Sequence, residues 1–171
     1  MKKCISIILA LLCTLSLLIN PVNAAEVSGF SAHLHNNVGG CDYNDMDKLL
    51  TLNTEHLKFS DTRSSPVQIN DYVGNVYLDK MKPGRTYYIS YSFVVDDGYT
   101  VPELTDENID IICDKGCEAL WCLKAYGVNA RNEKCDCVSL YEKVTVPGNF
   151  FQRIFGRLAD IFAKMAAWSP Y

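Results

Sequence analysis

The segment RTYYISYSFVV, residues 85–95, has the clearest strand pattern in the sequence. Large apolar side chains occupy every second position from Tyr87 onward, and most of the side chains between them are smaller or polar. The two sets are Tyr87, Ile89, Tyr91, Phe93 and Val95 on one side, and Thr86, Tyr88, Ser90, Ser92 and Val94 on the other. A period of two sustained over this length predicts a β-strand with one face in a hydrophobic core. The sequence DDG that follows, at 96–98, predicts that the strand turns back as a hairpin.

The rest of the pattern predicts several shorter strands. In residues 26–35, EVSGFSAHLH, the side chains of Phe30, Ala32 and Leu34 share one face of a predicted strand. Further strands are expected at 67–69, 76–78, 108–113, 119–125 and 137–146, whereas residues 45–58 fit either a helix or a strand. Short strands separated by turn residues favour an antiparallel β-sandwich.

The segment MKPGRTYYISY, residues 81–91, resembles the turn and strand of a fibronectin type III or related immunoglobulin-like domain. Met81, Pro83, Gly84 and Tyr87 occupy the positions that form a tyrosine corner in that family. The resemblance implies an immunoglobulin-like β-sandwich with a binding or spacing role, as such modules have in exported bacterial proteins. It supplies no catalytic residues.

The N-terminus has the layout of a secretory signal peptide. Lys2 and Lys3 precede an apolar run from Cys4 to Ile19, and the small-residue site 22–24, VNA, follows Pro21. The apolar run is shorter than the roughly 20 residues needed to span a bilayer. We therefore expect cleavage after Ala24 and a secreted or cell-surface protein.

The charge balance argues against nucleic acid as a partner. The chain has 16 basic and 20 acidic residues, and removal of residues 1–24 leaves 14 basic and 20 acidic residues, a net charge of −6. Nucleic-acid binding requires basic groups that neutralise phosphates, and the sequence contains no basic run. The segment 149–171 differs from the rest because Arg153, Arg157 and Lys164 outnumber Asp160.

Six cysteines remain after removal of the signal peptide. They are Cys41, Cys113, Cys117, Cys122, Cys135 and Cys137. An even number of cysteines in an exported chain favours disulfides over a metal cluster, and the pairing is left open by the sequence. If all six are paired, Cys41 must reach across the chain to the other five.

His33 and His35 are the candidates for a metal site. They would place two imidazoles on the same side of a strand, and zinc accepts such nitrogen ligands. A third ligand is available in His56, Asp42, Asp45 or Asp47. Two polar residues on the solvated face of a first strand are the better explanation of the pair, and we therefore predict no metal and no cofactor.

The sequence offers no catalytic constellation. It has three histidines and no GxSxG nucleophile motif. Its acids between 96 and 110 flank turns and strand ends, where solvated loop acids are expected; they are Asp96, Asp97, Glu103, Asp106, Glu107 and Asp110. We predict no catalytic residues and no enzyme activity.

Aromatic side chains form a candidate binding patch for a carbohydrate or a protein. Aromatic rings stack on apolar faces while their polar tips form hydrogen bonds. The members of this patch would be Tyr72, Tyr77, Tyr88, Tyr99, Trp121 and Tyr126.

The C-terminal stretch 149–171, NFFQRIFGRLADIFAKMAAWSPY, predicts an amphipathic helix from Asn149 to Trp168. Asn149 and Gln152 fit a capping box at its start. Large apolar residues recur at steps of three and four and form what we call the apolar stripe: Phe151, Ile154, Phe155, Leu158, Ile161, Phe162, Met165 and Trp168. The stripe fits three roles, which are packing on the β-domain, insertion into a membrane interface, and binding to a partner. In composition it resembles C-terminal segments on some exported proteins of Gram-positive bacteria.

These observations predict a mainly β protein with a signal peptide at 1–24, a disulfide-stabilised immunoglobulin-like sandwich at 25–147 and an amphipathic helix at 148–171. The expected function is non-catalytic binding or adhesion at the cell surface or outside the cell, to an unknown protein or carbohydrate. The alternative is a membrane-active or membrane-anchored protein whose C-terminal helix binds the bilayer interface.

Overall fold

The computed structural model describes residues 24–60, 66–76, 79–128, 131 and 133–168, and this part of the chain is mainly β. The predicted signal peptide falls on residues outside this description, except for Ala24. Within the described residues the strands are β1 (Ala25–Glu26), β2 (Phe30–Leu34), β3 (Leu50–Leu52), β4 (Leu57–Phe59), β5 (Val67–Asn70), β6 (Thr86–Val95), β7 (Tyr99–Thr100), β8 (Ile109–Cys113), β9 (Cys117–Val128) and β10 (Lys134–Thr145). The helices are α1 (Met46–Leu49) and α2 (Phe150–Ala167).

The predicted long strand is confirmed as β6, and it organises the larger sheet. Its odd-numbered side chains from Tyr87 to Val95 are buried, as the alternation requires. One edge of β6 pairs antiparallel with β10, which pairs in turn with β9. The other edge of β6 pairs with β4 near its end and with β5 nearer its start. The result is a five-stranded sheet.

The hairpin predicted after β6 is wrong. A turn does form at 96–98, with Gly98 at φ 86° and the Tyr99 amide donating to the Asp96 carbonyl at 3.1 Å. Both edges of β6 are already paired, so the chain cannot return along it. Instead β7 pairs in parallel with β1.

The smaller sheet has the order β3-β2-β8, and it carries the first predicted strand. In β2 the side chains of Phe30, Ala32 and Leu34 are buried and those of Ser31 and His33 are partly exposed, as predicted. β2 pairs antiparallel with β3 but in parallel with β8. The prediction of antiparallel pairing is therefore wrong for two pairs, β2 with β8 and β1 with β7. The long connections between these strands allow the chain to cross over.

The two sheets share one hydrophobic core. The ring centroid of Phe30 on β2 lies 5.4 Å from that of Phe93 on β6. At the start of β6 the buried Tyr87 hydroxyl accepts a hydrogen bond from the Lys82 backbone amide at 2.9 Å. A tyrosine hydroxyl bonded to the backbone a few residues upstream is the contact that defines a tyrosine corner. This corner fixes the turn at 82–84 against the core and so sets the surface on which α2 docks.

Candidate functional site

The C-terminal helix forms as its sequence predicts. Asn149 and Gln152 exchange the two hydrogen bonds of a capping box: the Gln152 amide donates to Asn149 Oδ1 at 2.9 Å, and the Asn149 amide donates to Gln152 Oε1 at 2.8 Å. The helix ends at Ala167, with Trp168 as its C-cap. The predicted boundaries therefore hold to within one residue.

The helix contacts the β-domain through a face that carries small side chains. Gly156 and Asp160 are its buried residues. Gly156 lies against the backbone of Gly84, and a Cβ atom on either glycine would overlap the backbone of the opposite segment. Gly84 also has φ 81°, which favours glycine. We call Gly156 and Asp160 the docked face of α2.

A buried ion pair secures the docked face. The Asp160 carboxylate accepts hydrogen bonds from Arg85 Nε at 3.1 Å and Arg85 Nη2 at 2.9 Å. It also accepts a bond of 3.4 Å from the Thr86 backbone amide. Because these donors lie at the start of β6, the ion pair fixes the helix to one end of the larger sheet.

The apolar stripe is exposed. At 100° per residue, Gly156 and Asp160 lie about 40° apart, and the middle of the stripe lies on nearly the opposite side of the helix. The fractional exposures are 67% for Phe151, 66% for Phe155, 65% for Phe162 and 80% for Trp168. The interpretation that the stripe packs on the β-domain is therefore wrong. The helix docks on the β-domain through its docked face instead, because glycine allows the two backbones to approach more closely than the large side chains of the stripe would permit.

Positive charge lies along one border of the stripe. Arg153, Arg157 and Lys164 are exposed and lie between the stripe and the docked face on the helical wheel. The acid of the helix, Asp160, lies next to this border on the docked face and is neutralised by Arg85. The outer surface of α2 therefore presents an apolar face beside a basic border.

A groove of about 610 Å³ separates the C-terminal half of α2 from the larger sheet. The helix contributes Ile161, Met165 and Trp168 to it, and the sheet side contributes Tyr72 and Thr86. The Lys164 ammonium lies 5.8 Å from the centroid of the Tyr72 ring.

Part of the predicted aromatic patch assembles beside this groove. Ring centroids are 5.1 Å apart for Trp121 and Tyr141, 6.0 Å for Tyr141 and Tyr88, and 6.4 Å for Tyr88 and Tyr72. We call these four residues the aromatic row. Sequence reasoning missed Tyr141, although its alternation with the buried Leu140 places it on the outer face.

The other members of the predicted patch lie elsewhere. Tyr99 stacks on His56 with a centroid distance of 3.8 Å. Tyr126 is exposed and lies beside Lys124. Tyr77 falls outside the described residues. Three of the six predicted residues, Tyr72, Tyr88 and Trp121, therefore lie together, and they are joined by Tyr141, which was not predicted.

The two candidate metal ligands come together, but with a different third residue. His33 Nε2 lies 2.9 Å from Asp114 Oδ1, and His35 Nδ1 lies 3.8 Å from Asp114 Oδ2. The predicted third ligands have other contacts among those described: His56 lies 3.7 Å from Asp96, and Asp45 pairs with Lys48.

No disulfide joins the six cysteines in the described part of the chain. The Sγ atoms of Cys135 and Cys137 are 4.0 Å apart, about twice the length of a disulfide bond. Cys41 lies buried in the core, and burial raises the pKa of the Cys122 thiol to about 12. Pairing among Cys41, Cys113, Cys117, Cys122, Cys135 and Cys137 stays a prediction.

The acid with the most unusual environment was not among the predicted ones. Glu142 on β10 is buried, and burial raises its pKa to about 7. The Tyr91 hydroxyl donates to Glu142 Oε2 at 2.6 Å, while Oε1 has no hydrogen-bond partner among the described atoms. The sequence contained the signal, because Glu142 stands between Leu140 and Val144 on the alternating buried face.

Comparison with known proteins yields no match: no family model, no curated protein and no solved structure is similar enough to the chain to assign it a relative. Among the described residues, no helix combines the length and the apolar character needed to cross a membrane. The candidate sites are therefore judged on their own geometry.

Proposed function

We propose that this protein is a non-catalytic binding module that associates with a membrane surface through the apolar stripe of α2. The observation that carries the proposal is the orientation of the helix. Its small and buried polar residues face the β-domain, and its large apolar residues are exposed, although Ile161, Met165 and Trp168 also line the groove beside the sheet. A contiguous exposed apolar surface of this kind is typical of a protein or membrane interaction site.

The distribution of charge favours a membrane interface over a protein groove. A helix that lies in the interface inserts its apolar face near the acyl chains and keeps basic residues at the level of the headgroups. Arg153, Arg157 and Lys164 along one border of the stripe fit this arrangement. The carboxylate of Asp160, which anionic headgroups would repel, is paired with Arg85 on the far side. We therefore favour anionic lipid as the surface.

Vesicle flotation of the full protein tests the proposal. The protein should float with vesicles that contain anionic lipid and bind neutral vesicles more weakly. The emission of Trp168 should shift to shorter wavelength on binding because this ring is exposed in the free protein. A Trp168→Phe variant shows whether the emission shift comes from Trp168 or from Trp121. Absence of flotation with both lipid mixtures would contradict the proposal.

The aromatic row supports a second candidate function, which is binding of a carbohydrate or protein ligand by the β-domain. Trp121, Tyr141 and Tyr88 lie side by side across β9, β10 and β6, and Trp121 is 44% exposed. The rings stack against one another, so the row offers their outward edges and polar tips to a sugar chain or a protein surface. In this arrangement the helix holds the protein at a surface and the sheet binds the ligand.

Pull-down on insoluble cellulose, chitin and peptidoglycan tests the second candidate. Trp121→Ala and Tyr141→Ala should each reduce retention on the polysaccharide that binds, whereas Tyr126→Ala, which removes an aromatic ring outside the row, should not. Equal retention of the row variants and the Tyr126→Ala control would argue against this role.

We further propose that the β-domain is an immunoglobulin-like sandwich of an exported protein. The hydrogen bond between Tyr87 and Lys82 and the core shared by the two sheets support the sandwich. The N-terminal sequence supports export. N-terminal sequencing of the protein recovered outside the producing cell should begin at Ala25, and a chain that retains Met1 would contradict the predicted cleavage.

A further inference from the structure

Three side chains of metal-binding types meet at one end of the smaller sheet, two of them close in sequence and the third about 80 residues away. His33 lies on the outer face of β2, His35 follows the same strand, and Asp114 follows β8. One ligand atom from each lies within 4.8 Å of the other two. The rings of His33 and His35 are 4.5 Å apart between centroids.

The parallel pairing of β2 and β8 creates this cluster. Leu34 lies opposite Cys113, and the Asp114 amide continues the ladder by donating to the Leu34 carbonyl at 3.0 Å. The Asn36 amide then donates to Asp114 Oδ2 at 3.1 Å. The backbone of one strand therefore holds the carboxylate of the other beside the two imidazoles.

Hydrogen bonds orient the ligands. The Thr51 hydroxyl lies 2.8 Å from His35 Nε2, which leaves His35 Nδ1 as the ring nitrogen nearer Asp114. Metal-binding histidines in proteins commonly use their second nitrogen in a hydrogen bond of the kind that His35 makes with Thr51.

We propose that His33, His35 and Asp114 bind one zinc ion. A zinc ion about 2.0 to 2.2 Å from two imidazole nitrogens and a carboxylate oxygen requires ligand atoms roughly 3.3 Å apart. The observed separations lie on either side of that value, although they involve the two oxygens of one carboxylate: His33 Nε2 is 2.9 Å from Oδ1 and His35 Nδ1 is 3.8 Å from Oδ2 of Asp114. Nitrogen ligands favour zinc over calcium or magnesium, which prefer oxygen.

The fourth position of the ion would be open. The side chains of His33, His35 and Asp114 are 34%, 26% and 41% exposed, so water or a group from a partner can reach the metal. The ion would also link β2 to the segment after β8. It would thereby stabilise the one parallel pairing of the smaller sheet.

Zinc titration of the full protein by isothermal calorimetry tests the proposal. We expect one zinc ion per chain, and an affinity lower by about tenfold or more in each of His33→Gln, His35→Gln and Asp114→Asn. The matched control is His56→Gln, because His56 also lies near a carboxylate, that of Asp96, but has no third ligand in the described structure. This control should bind zinc within about twofold of the unchanged protein.

The cysteines provide the competing explanation for zinc uptake, and cobalt distinguishes it. Co²⁺ in the proposed site has nitrogen and oxygen ligands and should give no thiolate charge-transfer band in the near ultraviolet. Circular dichroism should show that the three variants stay folded. No zinc uptake, uptake unchanged in all three variants, or a thiolate band that the variants do not alter would overturn the proposal.

Discussion

The docked face and the apolar stripe of α2 differ in what holds them. The docked face is held by a glycine that allows close backbone contact and by one buried ion pair. The stripe has eight large side chains, and each is at least 40% exposed. Hydrophobic periodicity thus predicts that a helix forms, but shape and charge decide which face meets the domain. Among the described residues, none covers the stripe.

Charging the stripe should have the largest effect and should leave the fold intact. Phe155→Glu combined with Phe162→Glu removes two large apolar side chains from the membrane contact. At about 2 kcal/mol for each buried ring, affinity for vesicles should fall on the order of 1000-fold. The free energy of unfolding should change by less than about 0.5 kcal/mol for each exposed site. Flotation and urea denaturation measure the two quantities.

Conservative replacement of the same rings is the control for this double variant. Phe155→Leu with Phe162→Leu keeps apolar side chains at both positions and should retain most of the membrane affinity. If the charged variant unfolds the protein instead, the stripe packs on the β-domain in solution and the comparison of the two faces fails.

A change of pH should alter the stability of the protein through the core residue Glu142. Asp160 has the guanidinium of Arg85 within 2.9 Å, whereas the described partners of Glu142, the Tyr91 hydroxyl and the Cys117 thiol, are uncharged donors. Burial raises the pKa of Glu142 from 4.5 to about 7. Between pH 4.5 and about 7, the Glu142 carboxyl keeps its proton in the folded protein but releases it in the unfolded chain. Stability should therefore fall by about 3 kcal/mol as pH rises from about 4.5 to 7.

The variant Glu142→Gln isolates this contribution, because an amide cannot ionise and still accepts the Tyr91 hydrogen bond. Denaturation at several pH values should show that the difference in stability between Glu142→Gln and the unchanged protein grows with pH in favour of the variant. A constant difference across the range would show that the pKa of Glu142 is the same in the folded and unfolded protein.

Local patterns were predictable from the sequence, and contacts between distant segments were not. The alternation in β6 and the capping box at Asn149 and Gln152 depend on neighbouring residues, and both are confirmed. The parallel pairing that brings Asp114 beside His33 depends on a crossover of the chain, and no local signal marks it. Sequence reasoning therefore named two of the three clustered side chains, and Asp114 was not among the four residues offered as a third.

The orientation of α2 on the β-domain could be predicted only in part from the sequence. The sequence placed Asp160 with the basic residues on the polar side, which is correct for the helix itself. That Asp160 faces Arg85 depends on the turn at 82–84, which the tyrosine corner fixes from within the core. A small residue four positions before an acid, as Gly156 is before Asp160, is only a weak sequence signal for a docked face. It can be interpreted only when the segment that contacts it is known.

Gly156→Leu should undock the helix, although helix propensity alone predicts the opposite. Leucine is favoured over glycine in a helix by roughly 0.8 kcal/mol. Here the new side chain would collide with the Gly84 backbone, so we expect a net loss of about 2 kcal/mol in the free energy of unfolding. Hydrogen exchange should show faster exchange at Thr86, whose amide donates to Asp160. Vesicle binding should persist.

Ala159→Leu is the matched control, because it adds the same side chain at an exposed position of the helix. Its stability should lie within about 0.5 kcal/mol of that of the unchanged protein, because the position is exposed. If Gly156→Leu is as stable as Ala159→Leu, close contact with Gly84 does not hold the helix.

The smallest effect should come from a single charge on the border of the stripe. Arg157→Gln removes one cation near the anionic headgroups, where each basic residue contributes about 1 kcal/mol, so affinity for anionic vesicles should fall about fivefold. Affinity for neutral vesicles should be unchanged. The control is Arg131→Gln, since Arg131 pairs with Asp97 beyond the far end of β6, about 30 Å along the strand from the docked helix. A similar loss in both variants would mean that net charge, and not the border of the stripe, attracts the protein to the membrane.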